Sequence, residues 1–290
     1  MLVNWNYKER NSLVQRLDPR ARVIFILCAI LAIILVWDLR VLVLWLAFSL
    51  LTLRLARLTW AEMRRFWLIV LPIVAFLVTL TALTGRGGEE AYRERHLIWQ
   101  GTWELFGRPF FPSLSLEQLV FAVSQFTRMV SMAALSLLIP FTIHPAQYGV
   151  TFKGLGLSDK FAVATDLAFR FVPTLGRDFT TVLDAQRARG YEVERLGGGL
   201  VQQVRHLAPL IIPITIGAIL GAEDIIDAMD LRAFGTRPKR TWVTQLLYRR
   251  RDYALIAAGV IVLIVTIILR QWGIIRFWVP LEWLALVGGL

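Results

Sequence analysis

The chain is 290 residues long, 57% of them hydrophobic and only 18% charged, with a mean hydropathy of +0.59. A soluble domain cannot hide that much apolar surface, so lipid is part of the solvent, and disordered, collagenous and small disulfide-stapled classes are excluded. The formal net charge is +11, and 28 of the 32 basic residues are arginine. In an apolar chain this excess suits cytoplasmic loops facing anionic lipid, and no nucleic-acid partner is expected.

The N-terminal arm, 1–22, is polar and carries Lys8, Arg10, Arg16, Arg20 and Arg22. The apolar run after it lacks a small-residue cleavage site, so no cleavable signal is expected. Val23–Trp37 and Val41–Leu53 flank Asp38-Leu39-Arg40 and predict a tight hairpin of two helices. Both runs are short against the roughly 20 apolar residues of a full span, though flanking Trp and Arg extend them. Phe66–Gly85 is a third span, Leu116–Ile139 a fourth with Arg128 inside it, and Tyr253–Leu269 a fifth. Arg54, Arg57, Arg64 and Arg65 follow the second span, and with the basic arm they place both segments inside. The Asp38 turn and Arg86–Ser115 then lie outside. That outer segment balances four Arg with four Glu and carries Gly87-Gly88, Trp99, Gly101, Trp103, Gly107 and Pro109. Such a pattern predicts a small hairpin over the membrane surface.

Residues 140–252 are rich in charge and read as a cytoplasmic region. Two helical stretches, Asp159–Arg189 and Val201–Arg232, are set off by breaks at Gly154-Leu155-Gly156 and Leu196-Gly197-Gly198-Gly199. Within the second stretch, His206–Ala222 is apolar over 17 residues. Its flanks, Arg195–Arg205 and Arg237–Arg251, are both basic and belong on one side. It also holds Pro209, Pro213 and Gly217, so it reads as a helix lying under or dipping into the bilayer, with a true span as the alternative. The organisation expected is a membrane domain over 1–139 with an outer segment at 86–115, a cytoplasmic region over 140–252, and a last membrane helix and tail over 253–290.

Little of the sequence suggests chemistry. Cys28 stands alone in an apolar run and reads as a core-filling residue. His96, His144 and His206 are scattered without metal-ligand spacing, so no metal is expected. Glu223, Asp224 and Asp227 are the one acidic set that could hold Mg²⁺ for a membrane prenyltransferase. That chemistry needs a second cluster, and Asp159, Asp166, Asp178 and Asp184 stand apart. A phosphate-binding Gly-x-x-x-x-Gly-Lys loop is absent, so the chain is not expected to hydrolyse ATP or to hold a cofactor. Arg128 lies among Ser124, Gln125, Thr127 and Ser131 in an otherwise apolar span. A charge there costs about 2.5–3.5 kcal/mol on insertion scales, so it needs a partner, with Asp166 and Glu117 the carboxylate candidates.

The two helical stretches end alike. The first reads Asp184-Ala185-Gln186-Arg187-Ala188-Arg189-Gly190, the second Asp227-Ala228-Met229-Asp230-Leu231-Arg232-Ala233-Phe234-Gly235. Arg in a last turn and Gly just beyond it are ordinary helix stops. Equally, a tip of small residues lets a partner approach while one guanidinium projects a fork of donors. Ahead of the first tip, Leu175, Phe179, Val182 and Gln186 recur at i, i+4, i+7 and i+11, an amphipathic face suited to a partner or membrane.

These pieces, in their order and spacing, resemble the T component of energy-coupling-factor transporters. Leu17-Asp18-Pro19-Arg20 is similar to the family's N-terminal signature, and Arg128 followed by Phe141-Thr142-Ile143-His144-Pro145 to its fourth-span exit. Phe169-Arg170-Phe171-Val172-Pro173 then leads to Ala188-Arg189-Gly190, which matches the family's Ala-Arg-Gly motif. The second motif keeps Arg232, but Leu231 and Ala233 replace its Ala and Gly. Glycine comes only at Gly235, which leaves the capping of that tip open. The resemblance implies an all-α integral membrane protein of about five spans with a cytoplasmic coupling-helix region, in a bacterial inner membrane with its N-terminus inside. It implies two ABC-type ATPase subunits as partners, contacted through Ala188, Arg189 and Gly190 and through Arg232, Ala233, Phe234 and Gly235. A membrane substrate-binding subunit is the third implied partner, and vitamin or metal-ion uptake the implied task. The other readings are a permease that binds its own substrate and, further off, the prenyltransferase-like enzyme.

Overall fold

The computed structural model describes residues 7–84, 97–100, 103–105, 108–110, 113–191, 200–236, 242–243, 245–275 and 277. The Gly87-Gly88 pair and the Leu196–Gly199 break lie outside them. The helices are α1 (Pro19–Leu35), α2 (Leu39–Leu55), α3 (Trp60–Thr84), α4 (Leu116–Thr142), α5 (Tyr148–Gly154), α6 (Asp159–Ala188), α7 (Leu200–Leu231) and α8 (Arg250–Gln271). The architecture is that of an all-α membrane protein, and α3, α4, α7 and α8 are long and apolar enough to cross a membrane. Its β component, between α3 and α4, is four short strands: β1 (Leu97–Gln100), β2 (Trp103–Leu105), β3 (Arg108–Phe110) and β4 (Ser113–Ser115). β1 pairs antiparallel with β4, and β2 with β3, so the described residues of this segment form one ladder nested in another.

The chain forms two compact units. One is drawn from Asn6–His144 and Leu247–Leu290, the other from Pro145–Leu246. The expected boundaries at 139/140 and 252/253 cut through helices, since α4 runs on to Thr142 and α8 begins at Arg250.

In the first unit the aspartates set the helix starts. The Asp18 carboxylate accepts the Arg20 backbone N–H at 2.8 Å, and Pro19 takes the first helical position, where its missing donor costs nothing. Asp38 does the same for α2, accepting the Arg40 N–H at 2.8 Å. At 17 residues each, α1 and α2 rise about 26 Å, a few Å short of a hydrocarbon core of about 30 Å. Their inner faces and those of α3 and α4 build a core that includes Ile26, Ile33, Leu42, Leu53, Met63, Trp67, Leu135 and Leu138. Ala29, Ala32 and Ala134 are at most 1% exposed, and such small side chains let helix backbones approach closely.

Two buried arginines tie α1 to α4 at both ends. Arg22, near the start of α1, donates from Nη1 to the carbonyl of Thr142, the last residue of α4, at 2.8 Å. Arg128 of α4 donates from Nη2 to the carbonyl of Val36, which caps the end of α1, at 2.5 Å. Carbonyls in a helix's last turn lack intrahelical partners and carry the negative end of its dipole, so each cation satisfies both needs. Arg128 also donates to Gln125 Oε1 at 2.9 Å and lies over the Trp37 ring, 4.6 Å from its centroid. That ring in turn stacks on Phe121. The expected carboxylate partners are therefore corrected. Among the described residues no carboxylate pairs with Arg128. Glu117 sits three turns earlier on α4, roughly 16 Å along the axis, and Asp166 belongs to α6 in the second unit.

α8 runs parallel to α1. The Asp18 N–H donates to Asp252 Oδ1 at 2.8 Å, while Asp252 Oδ2 accepts the Arg249 N–H at 2.7 Å. Arg20 pairs with Asp18 at 2.9 Å and covers the Tyr248 ring at 3.9 Å. One helical repeat further on, Gly259 faces Phe25 and Cys28, where a Cβ would lie only 3.1–3.4 Å from their atoms. Since α4 is antiparallel to α1 and α8 parallel to it, the end of α4 and the start of α8 lie at the same end of this unit.

Candidate functional site

The second unit presents the two helix tips. The side chain of Ser158 caps α6 by accepting the Phe161 N–H at 3.3 Å, and Lys153 pairs with Asp159 at 2.9 Å. α5 packs on α6 through Gly149, whose missing Cβ would stand 2.6 Å from the Ala162 carbonyl oxygen. Beside it the rings of Tyr148 and Phe169 stack at 4.8 Å.

α6 and α7 are antiparallel. Gln186, near the end of α6, donates from Nε2 to the Pro209 carbonyl at 3.2 Å. Earlier in α6, Phe171, Leu175 and Asp178 share a groove of about 180 Å³ with Gly217, Gly221 and Ile225, later in α7. The Gln186 bond offsets one of the two backbone hydrogen bonds that the prolines remove from α7. The Pro209 carbonyl would normally accept from the N–H four residues on, but that residue is Pro213, which has none. The Gln186 amide supplies the donor, and Pro209 and Pro213 sit inside a continuous helix, as expected for the stretch Val201–Arg232. On the amphipathic face of α6, Leu175 and Phe179 remain 38% and 37% exposed, open to a further partner.

Both tips close with the same hydrogen bonds. At the first, the Gly190 N–H donates to the Arg187 carbonyl at 2.9 Å and the Tyr191 N–H to the Gln186 carbonyl at 3.0 Å. At the second, the Ala233 N–H donates to Asp230 at 2.8 Å and the Phe234 N–H to Met229 at 2.9 Å. Each is a Schellman closure, which needs a left-handed residue just after the helix. Gly190 fills that place at φ +83 and Ala233 at φ +54. The structural counterpart of Gly190 is therefore Ala233, and Gly235 lies two residues further along at φ +96. Superposing the bonding also pairs Arg189 with Arg232 and Tyr191 with Phe234. Tyr191 escaped the sequence reading, although an aromatic residue stands two places after the arginine in both motifs.

Ala188, Arg189, Gly190, Arg232, Ala233 and Gly235 are exposed and Phe234 is half-buried. Among the described residues neither Arg189 nor Arg232 has an ion pair or a side-chain hydrogen bond, so each offers its full set of donors outward. Because α6 and α7 are antiparallel, the tips sit at opposite ends of the pair. Counting from the Gln186–Pro209 contact, they are roughly 35 Å apart along it. Glu223, Asp224 and Asp227 are all exposed on α7, and among the described residues no three potential ligands converge on a metal position.

A left-handed alanine costs about 1 kcal/mol that glycine does not. Ala233→Gly is expected to increase protection of the Phe234 amide in hydrogen exchange, and Gly190→Ala to decrease that of Tyr191. No Cβ at Gly190 would meet another atom within 4 Å, so the loss there is conformational and confined to the tip.

The family model described as cobalt transport protein, CbiQ, matches residues 10–242. An energy-coupling factor transporter transmembrane protein of Lactococcus lactis is 27% identical over 282 residues, covering 92% of this chain and 96% of the relative. Its counterpart in Heliobacterium modesticaldum is 31% identical over 263 residues, covering 89% and 94%. A third, from Clostridium kluyveri, is 24% identical over 272 residues, covering 92% and 96%.

Proposed function

The chain belongs to the cobalt transport protein family CbiQ, and from that premise we propose that it is the membrane coupling subunit of an energy-coupling-factor importer. In this reading two ABC-type ATPases hydrolyse ATP, and a separate membrane subunit binds the vitamin or metal ion. The chain itself carries out no chemistry and passes movement from the first pair to the last. The observation that carries the proposal is the pair of unpartnered arginine tips at opposite ends of one antiparallel helix pair. A single rigid tip would engage one partner; two tips of the same geometry roughly 35 Å apart suit two similar grooves, as a pair of related ATPases provides. When the ATPases close on ATP, their grooves move relative to each other. The α6–α7 pair must then change angle or shift, and the apolar faces of the chain carry that change to the substrate-binding subunit.

The membrane arrangement follows from parity. Residues 145–246 leave the membrane unit at the end of α4 and return at the start of α8, which lie at the same end, so they cross the bilayer an even number of times. α7 is apolar enough to cross, yet a crossing would require α6 to cross as well. α6 carries Asp166, Arg170, Arg177, Asp178 and Asp184 along its length and is not among the candidate spans. α7 therefore lies along or dips into the membrane, and α1, α2, α3, α4 and α8 are the five spans. The basic arm and the arginines after α2 support a cytoplasmic N-terminus and cytoplasmic tips in a bacterial cell. In a Cys28→Ser background, an impermeant thiol reagent applied outside should label Arg95→Cys and leave Gly190→Cys untouched; outside labelling at 190 would overturn this topology.

The partners are tested by purifying the chain from its native membrane in mild detergent and identifying what accompanies it by mass spectrometry. Two ATP-binding subunits and one small membrane subunit are expected. A chain that purifies alone and still transports substrate in vesicles would instead be a self-sufficient permease.

A further inference from the structure

One groove in the membrane unit is apolar along its length and basic at one end. It has a volume of about 730 Å³, between α2, α3 and α4. Leu46, Leu50, Met63, Trp67 and Leu71 form its walls, and Arg54 and Trp60 stand at its mouth, beside the α2–α3 turn. Arg57, Arg64 and Arg65 surround that turn, all exposed. Glu62, in the first turn of α3, is held by Lys8 and Arg10, each at 2.9 Å. Among the described residues none of the four guanidiniums of Arg54, Arg57, Arg64 and Arg65 has an ion pair or side-chain hydrogen bond.

We propose that this groove is a binding site for one anionic glycerophospholipid, with its phosphate at Arg54 and Arg57 and one acyl chain between α2 and α3. The charge balance is one-sided: Arg54 lines the groove, Arg57, Arg64 and Arg65 lie on the turn and helix start beside it, and among the described residues none of the four has an ion pair. The length agrees as well. From Leu46 to Arg54 the groove follows α2 for about 12 Å, close to the roughly 15 Å of acyl layer in one leaflet. Trp60 sits at the mouth, where an indole bridges headgroups and chains. Each basic residue near an anionic surface contributes about 1 kcal/mol, so two engaged arginines favour an anionic over a zwitterionic headgroup by more than tenfold. This site does not depend on how the helix tips engage their partners.

The test uses the full-length protein, delipidated in detergent and titrated with phosphatidylglycerol or phosphatidylcholine of identical chains, with bound lipid counted by native mass spectrometry. The wild-type protein should bind one phosphatidylglycerol at least tenfold more tightly than phosphatidylcholine. Arg54→Gln with Arg57→Gln should reduce that preference below threefold and leave phosphatidylcholine binding unchanged. Ala47→Trp, at an exposed position on the groove wall, should weaken both lipids about tenfold, and Leu50→Trp provides a second plug should Ala47→Trp fail to fold. Equal affinity for the two lipids in the wild-type protein would overturn the proposal. It would also be overturned if the plugged variants bound lipid normally, or if they lost a co-purifying membrane subunit while keeping the lipid preference, which would show that a protein helix fills the groove.

Discussion

The Arg189→Ala, Arg232→Ala double variant is expected to reach the membrane at the wild-type level and to lose both ATPase association and substrate uptake. Each arginine projects from a closed helix tip with no partner of its own, so removing it leaves the fold intact and takes several donors from an interface. Truncating such an anchor costs about 2 kcal/mol or more, roughly thirtyfold in affinity. The tips are far enough apart for their losses to add, which puts the double variant near a thousandfold. Each single variant should weaken retention of the ATPases and uncouple hydrolysis from uptake. The shared Schellman geometry leads us to expect effects of similar size at Arg189 and Arg232, despite the poorer sequence match at the second motif. Co-purification of the ATPases and uptake of labelled substrate into vesicles measure the two outcomes.

The second large effect concerns stability. Arg22→Leu and Arg128→Leu each leave a buried helix-end carbonyl without its donor, at about 1–3 kcal/mol, and Arg128→Leu also loses its contact with the Trp37 ring. The two sites are separated by the length of α1, so the losses should add to several kcal/mol, a large share of the 5–15 kcal/mol typical of a folded domain. We expect each single variant to lower the thermal midpoint in detergent and the double variant to accumulate poorly. Arg128→Lys should restore part of the stability, since it keeps the charge and loses the fork. Wild-type level and midpoint in the double variant would show that the two arginines do not cap these helices.

The helices of the first unit and their hairpin at Asp38 were legible because length, apolar runs and turn residues act locally. The partner of Arg128 was not, because its acceptor is a main-chain carbonyl at the end of another helix, and a carbonyl carries no residue identity. The helical stretch over Val201–Arg232 was legible, but the Gln186 side chain that answers the carbonyl freed by Pro213 was not, since that contact depends on the packing of α6 on α7. At the second tip, glycine drew attention to Gly235, whereas the hydrogen bonds place the left-handed residue at Ala233. The arginines themselves were visible in the sequence. Their placement at opposite ends of one helix pair was not, since it depends on the antiparallel packing of α6 on α7.

The proposal that the two tips engage two ATPases is tested most directly by cross-linking. In a Cys28→Ser chain assembled with its partners, Arg189→Cys and Arg232→Cys would each carry a short photoactivatable cross-linker on the new thiol. Each tip should become joined to an ATP-binding subunit, and a chain carrying both labels should hold two of them. If an assembly that still hydrolyses ATP and imports substrate yields no cross-link from either tip to an ATP-binding subunit, the arginines are helix ends and nothing more.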